Sequence, residues 1–205
     1  GGGAPGLHDF SISKEGVLLQ GPTNLMENTT EGIAATKHAN GVDIWVAAQE
    51  YGSANYNLYL ITAHGLDLEH SNLSQFVGRS LVADRARGGI AFSWDSHQLG
   101  ETYPAVYPDL DQQVNLYDFD NATGTLSHGV GIAPTNKFIG GYDIVFAPDN
   151  KGVYVSGGHA GSLEFLDISS GDQATIQNAC VSYGNSFGGY AMEIGPDGNL
   201  YTMDY

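Results

Sequence analysis

Apolar and polar positions alternate with period two through most of the chain, in short runs broken by Gly, Pro, Asn and Asp. Runs of this kind, rich in β-branched and aromatic residues, predict strands over 32–37, 43–48, 56–61, 89–94, 113–119, 142–146, 152–156, 162–168, 190–194 and 199–203. No window sustains a capped stripe of 3.6-residue period. The nearest approach, over 71–86, is interrupted by Gly78.

The pattern repeats. The run Gly140-Gly141-Tyr142-Asp143-Ile144 leading to Pro148-Asp149 returns as Gly188-Gly189-Tyr190-Ala191-Met192 leading to Pro196-Asp197. Traced backward, Asn40, Asp95, Asp149 and Asp197 mark equivalent turns at intervals of 55, 54 and 48 residues. A second marker, an alternating strand that runs into a glycine turn, ends at Gly16, Gly65, Gly124 and Gly171, spaced by 49, 59 and 47. Two interleaved signals near a period of 50 predict an all-β propeller of four-stranded blades. The expected layout is a flexible end over 1–6, a partial blade at 7–26, blades at about 32–72, 80–130 and 138–182, and a partial blade at 188–205. Closed propellers use roughly 4 to 8 blades, so about three and a half reads as a piece of a longer polypeptide.

Turn chemistry supports the same picture. In Pro148-Asp149-Asn150 and Pro196-Asp197-Gly198, proline presets φ and Asp can accept from the backbone two residues on. The Gly-Gly pairs at 88–89, 140–141, 157–158 and 188–189 fall at blade boundaries, where inner strands crowd the axis.

Charge narrows the partners. With 23 acidic against 7 basic residues the net charge is −16, and the only basic cluster is Arg79, Arg85 and Arg87. A phosphate backbone would be repelled, so nucleic acid is excluded as a partner. The single cysteine, Cys180, can form neither an intrachain disulfide nor a thiolate metal cluster. No run approaches the length of a membrane-spanning helix.

The run 27–46, carrying Lys37-His38-Ala39-Asn40-Gly41-Val42-Asp43-Ile44-Trp45-Val46, is the most specific in the chain. With Asn57-Leu58-Tyr59-Leu60, Val114 to Gly124 and Phe187 to Gly198, it resembles the propeller-like ectodomain of large Bacteroidota surface proteins. Those proteins carry a type IX secretion, type B sorting domain and are often termed gliding-motility-associated. The resemblance spans about 27–205 and implies an exported, cell-surface repeat protein. The insertion over 103–112 departs from it, and the sorting domain is not in this sequence.

Candidate chemistry is sparse. His38, Asn40, Asp43 and Trp45 could form a polar patch, or the Asn40-Gly41 pair is a hairpin turn with Trp45 in the core. The oxygen donors of Asp118 to Gly124 suit calcium, yet the loop lacks the length and distal Glu of an EF-hand, and a side-chain-to-backbone turn explains it. No catalytic site and no cofactor is expected. No nucleophile elbow, zincin helix, phosphate loop or sialidase Asp-box occurs. The most distinctive candidate for binding is the insertion bearing Tyr103, Tyr107, Asp109 and Asp111, whose aromatics and carboxylates suit protein or glycan.

The reading is thus a non-catalytic, extracellular binding, adhesive or structural module. Open blade edges would lead it to self-associate or to pair with missing blades. The alternative is a propeller enzyme acting on glycans or lactones at the central mouth.

Overall fold

The computed structural model describes residues 6–78, 86–104, 114–132, 141–157, 162–184 and 189–203. It is a partial β-propeller. A hairpin of β1 (Leu7–Ile12) and β2 (Leu18–Met26) precedes three antiparallel four-stranded sheets. The first runs β3 (Thr29–Lys37), β4 (Ile44–Glu50), β5 (Asn55–Thr62), β6 (Gly65–Phe76). The second runs β7 (Ile90–Phe92), β8 (Gln98–Thr102), β9 (Val114–Asp120), β10 (Thr125–Ile132). The third runs β11 (Asp143–Phe146), β12 (Gly152–Ser156), β13 (Leu163–Asp167), β14 (Val181–Ser182). A last hairpin pairs β15 (Ala191–Ile194) with β16 (Leu200–Met203).

Each first strand lies inside. β3 packs on β7, β7 on β11 and β11 on β15, so the four inner strands stand side by side around one axis without closing a ring. The cores lie between neighbouring sheets. Trp45, Tyr56 and Leu58 of the first meet Leu99, Tyr117 and Phe119 of the second, and Val114 and Leu116 of the second meet Ile144, Phe146 and Val153 of the third. Alternation in each strand therefore serves two interfaces at once, which is how a propeller buries both faces of every sheet.

The lower corners lock the sheets together. Trp45 is 1% exposed, its indole N–H donates to the Asn121 carbonyl at 2.8 Å, and its ring meets Phe119 edge-on at 6.5 Å. A Cβ on Gly124, whose φ is +66°, would lie 2.6 Å from the Trp45 ring, so the turn of the second sheet is cut to fit the indole of the first. Trp94 repeats the lock one sheet on, donating to the Phe146 carbonyl at 3.0 Å.

Two local expectations change. The stretch 71–86 carries strand as far as Phe76, because Asn72 and Gln75 reach across to Thr125 and Gly124 at 3.2 and 2.9 Å and hold β6 against the second sheet. A one-turn-and-a-half helix, α1 (Gln173–Asn178), lies between β13 and β14, capped by Asp172, which accepts the Thr175 N–H at 2.8 Å. Six residues are too few to show a helical period, and only Ile176 of it is buried.

Candidate active site at the axial mouth

The inner strands enter the axis through glycine-rich segments, and their first residues make a depression of about 260 Å³. It is lined by Glu31, Arg87, Tyr142, Asp143 and Tyr190 with the intervening glycines. Below it an axial groove of about 360 Å³ runs between the four strands. Asp143 lies on both.

Asp143 is held from three sides. Its backbone N–H donates to Ser156 Oγ at 3.1 Å, its Oδ1 accepts the Ile144 N–H at 2.9 Å, and its Oδ2 accepts the Met192 N–H of β15 at 2.7 Å. One carboxylate thus joins two inner strands and is fixed in orientation by backbone alone. Gly89 of the neighbouring strand makes room, since a Cβ there would stand 2.6 Å from Asp143 Oδ1. Burial pushes this carboxyl above its ordinary value; the Met192 and Ile144 N–H groups pull it down, and the charge of Glu193 pushes it up again.

Tyr142 and Tyr190 meet edge to face at 5.0 Å beside it. The Tyr142 hydroxyl points to Glu31 Oε2 at 3.5 Å, and its acidity is weakened first by burial and then by the Glu31 charge, with Arg87 opposing. The mouth therefore brings the half-buried Asp143 carboxylate together with the exposed Glu31 carboxylate, a guanidinium and two phenols around one space. That set can polarise a carbonyl and take a proton from water.

The residues singled out from sequence fall elsewhere. Tyr103 is 1% exposed and faces the interior, with its carbonyl accepting the Gly141 N–H at 3.2 Å. Tyr107, Asp109 and Asp111 lie outside the described residues. The His38 to Trp45 constellation is a corner: Asn40 Oδ1 accepts the Val42 and Asp43 N–H groups at 3.0 Å, and His38 packs on Trp45 with ring centres 5.7 Å apart. In the loop proposed for calcium, the Asp120 oxygens accept the Ala122 N–H and the Thr123 hydroxyl, both at 2.9 Å. No group of three or more metal-ligating side chains occurs among the described residues.

Asp143 had a signal in the sequence. In the repeat, Gly-Gly-Tyr-Asp at 140–143 stands against Gly-Gly-Tyr-Ala at 188–191, so the carboxylate breaks the repeat at the axis.

No protein-family model and no curated protein sequence matches the chain. Solved structures do. A proposed 6-phosphogluconolactonase from Bacteroides uniformis superposes with a TM-score of 0.61 at 16% identity, covering 93% of this chain and 55% of that one. A second proposed 6-phosphogluconolactonase, from Bacteroides fragilis, gives 0.57 at 15% identity over 89% and 48%. Hydrazine synthase from Kuenenia stuttgartiensis gives 0.56 at 14% over 93% and 47%. The chain spans about half the length of these structures. At such identities the likeness establishes the propeller fold.

The comparison also corrects the functional expectation. Two of these neighbours are described as proposed 6-phosphogluconolactonases. Such neighbours weigh against the expected non-catalytic binding or adhesive module and favour the alternative given beside it, an enzyme acting at the central mouth.

Proposed function

We propose that this chain supplies the axial site of a propeller hydrolase that opens lactones, with Asp143 as general base. One observation carries the reading: the half-buried Asp143 carboxylate, aimed by two N–H groups of adjacent inner strands, sits where mouth and groove join. The names of the two lactonase neighbours supply the substrate class.

Asp143 takes a proton from water as the oxygen attacks the lactone carbonyl carbon. Charge growing on the carbonyl oxygen is met by Arg87 at the same mouth, while the Tyr142 hydroxyl donates to Glu31. As the ring C–O bond breaks, Asp143 returns the proton to the departing oxygen, leaving a hydroxy acid. A general base of this kind contributes about 10²- to 10⁴-fold. Its raised proton affinity brings it toward the pH at which it must work. The exported, cell-surface setting implied by the resemblance over 27–205 belongs to the same proposal, as the compartment in which such a lactonase would meet its substrate.

A pH-stat assay on γ-butyrolactone and δ-gluconolactone tests the reading. Turnover is expected with the native chain and is expected to fall about 100-fold or more in Asp143→Asn. Equal rates in the two proteins, with the variant folded by circular dichroism, would remove Asp143 from the chemistry.

A further inference from the structure

The groove owes its chemistry to main chain. Apart from Asp143, Glu193 and Trp94 the side chains along it are apolar, so its other polar groups are the N–H and C=O groups of the inner strands. The ladders show which of them face it. His38 N–H donates to the Asp43 carbonyl at 2.8 Å, and bonded and non-bonded positions alternate in an antiparallel pair, so Ile33 and Ala35 turn their N–H and C=O away from β4. Bonds of 2.9 Å from Ser93 to Gln98 and 3.0 Å from Thr102 to Gly89 do the same for Ile90 and Phe92 of β7. One of 2.9 Å from Gly195 to Asn199 does it for Ile194 of β15. The Ile144 and Met192 N–H groups share this phase, and both end on the Asp143 carboxylate, which identifies the direction as the axis.

These groups form rows of donors and acceptors with no strand beside them, because β3, β7 and β15 pair on one side only among the described residues. A hydroxyl both donates and accepts, and so meets such a row without leaving a polar group dry. The charges are one-sided. Glu31 and Asp143 stand at the mouth and Glu193 in the groove, against Arg87 as the one cation lining either space among the described residues. The chain around them carries a net charge of −16. A phosphoryl group, with about two negative charges at neutral pH, would meet three carboxylates for one guanidinium.

From these two features we infer that the preferred substrate is an uncharged, polyhydroxylated lactone. Its ester lies at the mouth beside Asp143 and its hydroxyls along the main-chain rows of the groove, and phosphorylated lactones are turned away by Glu31 and Glu193. This rests on the lactone reading above and narrows it. A groove of about 360 Å³ falls within the range of small-molecule sites, roughly 300–1,000 Å³. Recognition by strand edges also explains how side chains as plain as Ile33, Ala35 and Ile194 can line a polar site.

The test sets three lactones side by side at fixed pH: δ-gluconolactone, its 6-phosphate and δ-valerolactone, each rate referred to the uncatalysed hydrolysis of the same compound. The highest kcat/KM is expected for δ-gluconolactone. It should drop about two- to tenfold for each engaged hydroxyl that δ-valerolactone lacks. Phosphorylation should cost about 10- to 1,000-fold. Salt reports the cause. Raising ionic strength from about 0.01 to 1 M shortens the screening length from roughly 30 to 3 Å, so the phosphate penalty should narrow while the gap to δ-valerolactone stays. Glu31→Gln combined with Glu193→Gln should narrow the same penalty at low salt. Binding is read separately, by calorimetry with gluconolactam and its 6-phosphate, whose amide bond resists hydrolysis.

Turnover of the phosphate or of δ-valerolactone as fast as that of δ-gluconolactone overturns this inference and leaves the lactonase reading intact. No turnover of any lactone, with gluconolactam bound in preference to its phosphate, removes the hydrolase reading and retains the neutral polyol as occupant of the groove. Neither turnover nor that preference overturns both.

Discussion

The two ends of the inner strands carry the same kind of residue in opposite conditions. At the lower corners, Asp95, Asp149 and Asp197 each accept an N–H two residues on, from His97, Lys151 and Asn199 at 3.2, 3.0 and 3.1 Å. At the mouth, Asp143 accepts an N–H 49 residues away, from Met192 of the next strand. The corner carboxylates are solvated and closed on themselves; that of Asp197 is held below its ordinary value, first by the Asn199 N–H and amide and then by the Tyr201 hydroxyl. Asp143 is pushed the other way by burial. Acids that recur with the repeat build the scaffold, and the acid that breaks the repeat is the one we propose for the chemistry.

The sharpest way to break this comparison is a matched pair of isosteric substitutions. Asp143→Asn is expected to lose about 100-fold or more of lactone turnover, whereas Asp197→Asn keeps the native rate. Comparable losses in both would mean that position in the repeat carries no functional information.

A second pair probes the corners as scaffold. Trp45→Ala empties a fully buried site between the first two sheets and should destabilise by about 3–5 kcal/mol. Trp94→Ala loses one hydrogen bond from a ring already 57% exposed, so about 0.5–1.5 kcal/mol is expected. Urea denaturation of both variants measures the difference. Equal losses would show that the two locks do not differ in burial as described.

The corners were legible in the sequence because their chemistry is local. Asn40-Gly41 and Pro-Asp-Gly state their own turn, and each needs only the next few residues to be satisfied. Strands with dense β-branched or aromatic content, such as β9 and β12, were legible too, whereas the mostly exposed or half-buried β2 and β6 carry no clean alternation and were not. β8 was not, since Leu99, Gly100, Glu101 and Thr102 are all buried and no alternation survives. β10 hides behind Gly129 and Gly131, and α1 is shorter than two turns. The site is non-local in the strongest sense: Asp143 becomes a desolvated carboxylate only when β7, β11 and β15 converge, and Gly89 is the residue that lets it stand there. The insertion over 103–112 is prominent in composition, yet Tyr103, its first member, packs inside the protein.

The charge of Glu193 tunes the mouth. It is the next acid along the groove and raises the proton affinity of Asp143. Glu193→Gln should therefore move the acid limb of the kcat/KM profile to lower pH, while the plateau rate changes little. An unmoved limb would mean that Asp143 does not set it.

The smallest effect is also the one with the clearest sign. The folded-state affinity of Asp143 for its proton is raised, so the native state binds more protons than the unfolded chain above about pH 3.9, and stability from this group is lost as pH rises through its folded value. Asp197 is lowered, so its contribution is present above about pH 3.9 and is lost as pH falls through its folded value. Denaturation curves for Asp143→Asn and Asp197→Asn, each referred to the native chain across the acidic range, should diverge in opposite directions. The Asp143 variant gains relative to native as pH rises above that point, and the Asp197 variant gains as pH falls below it. Parallel curves would mean that the two carboxylates share one environment, and the distinction between corner and mouth would fall with it.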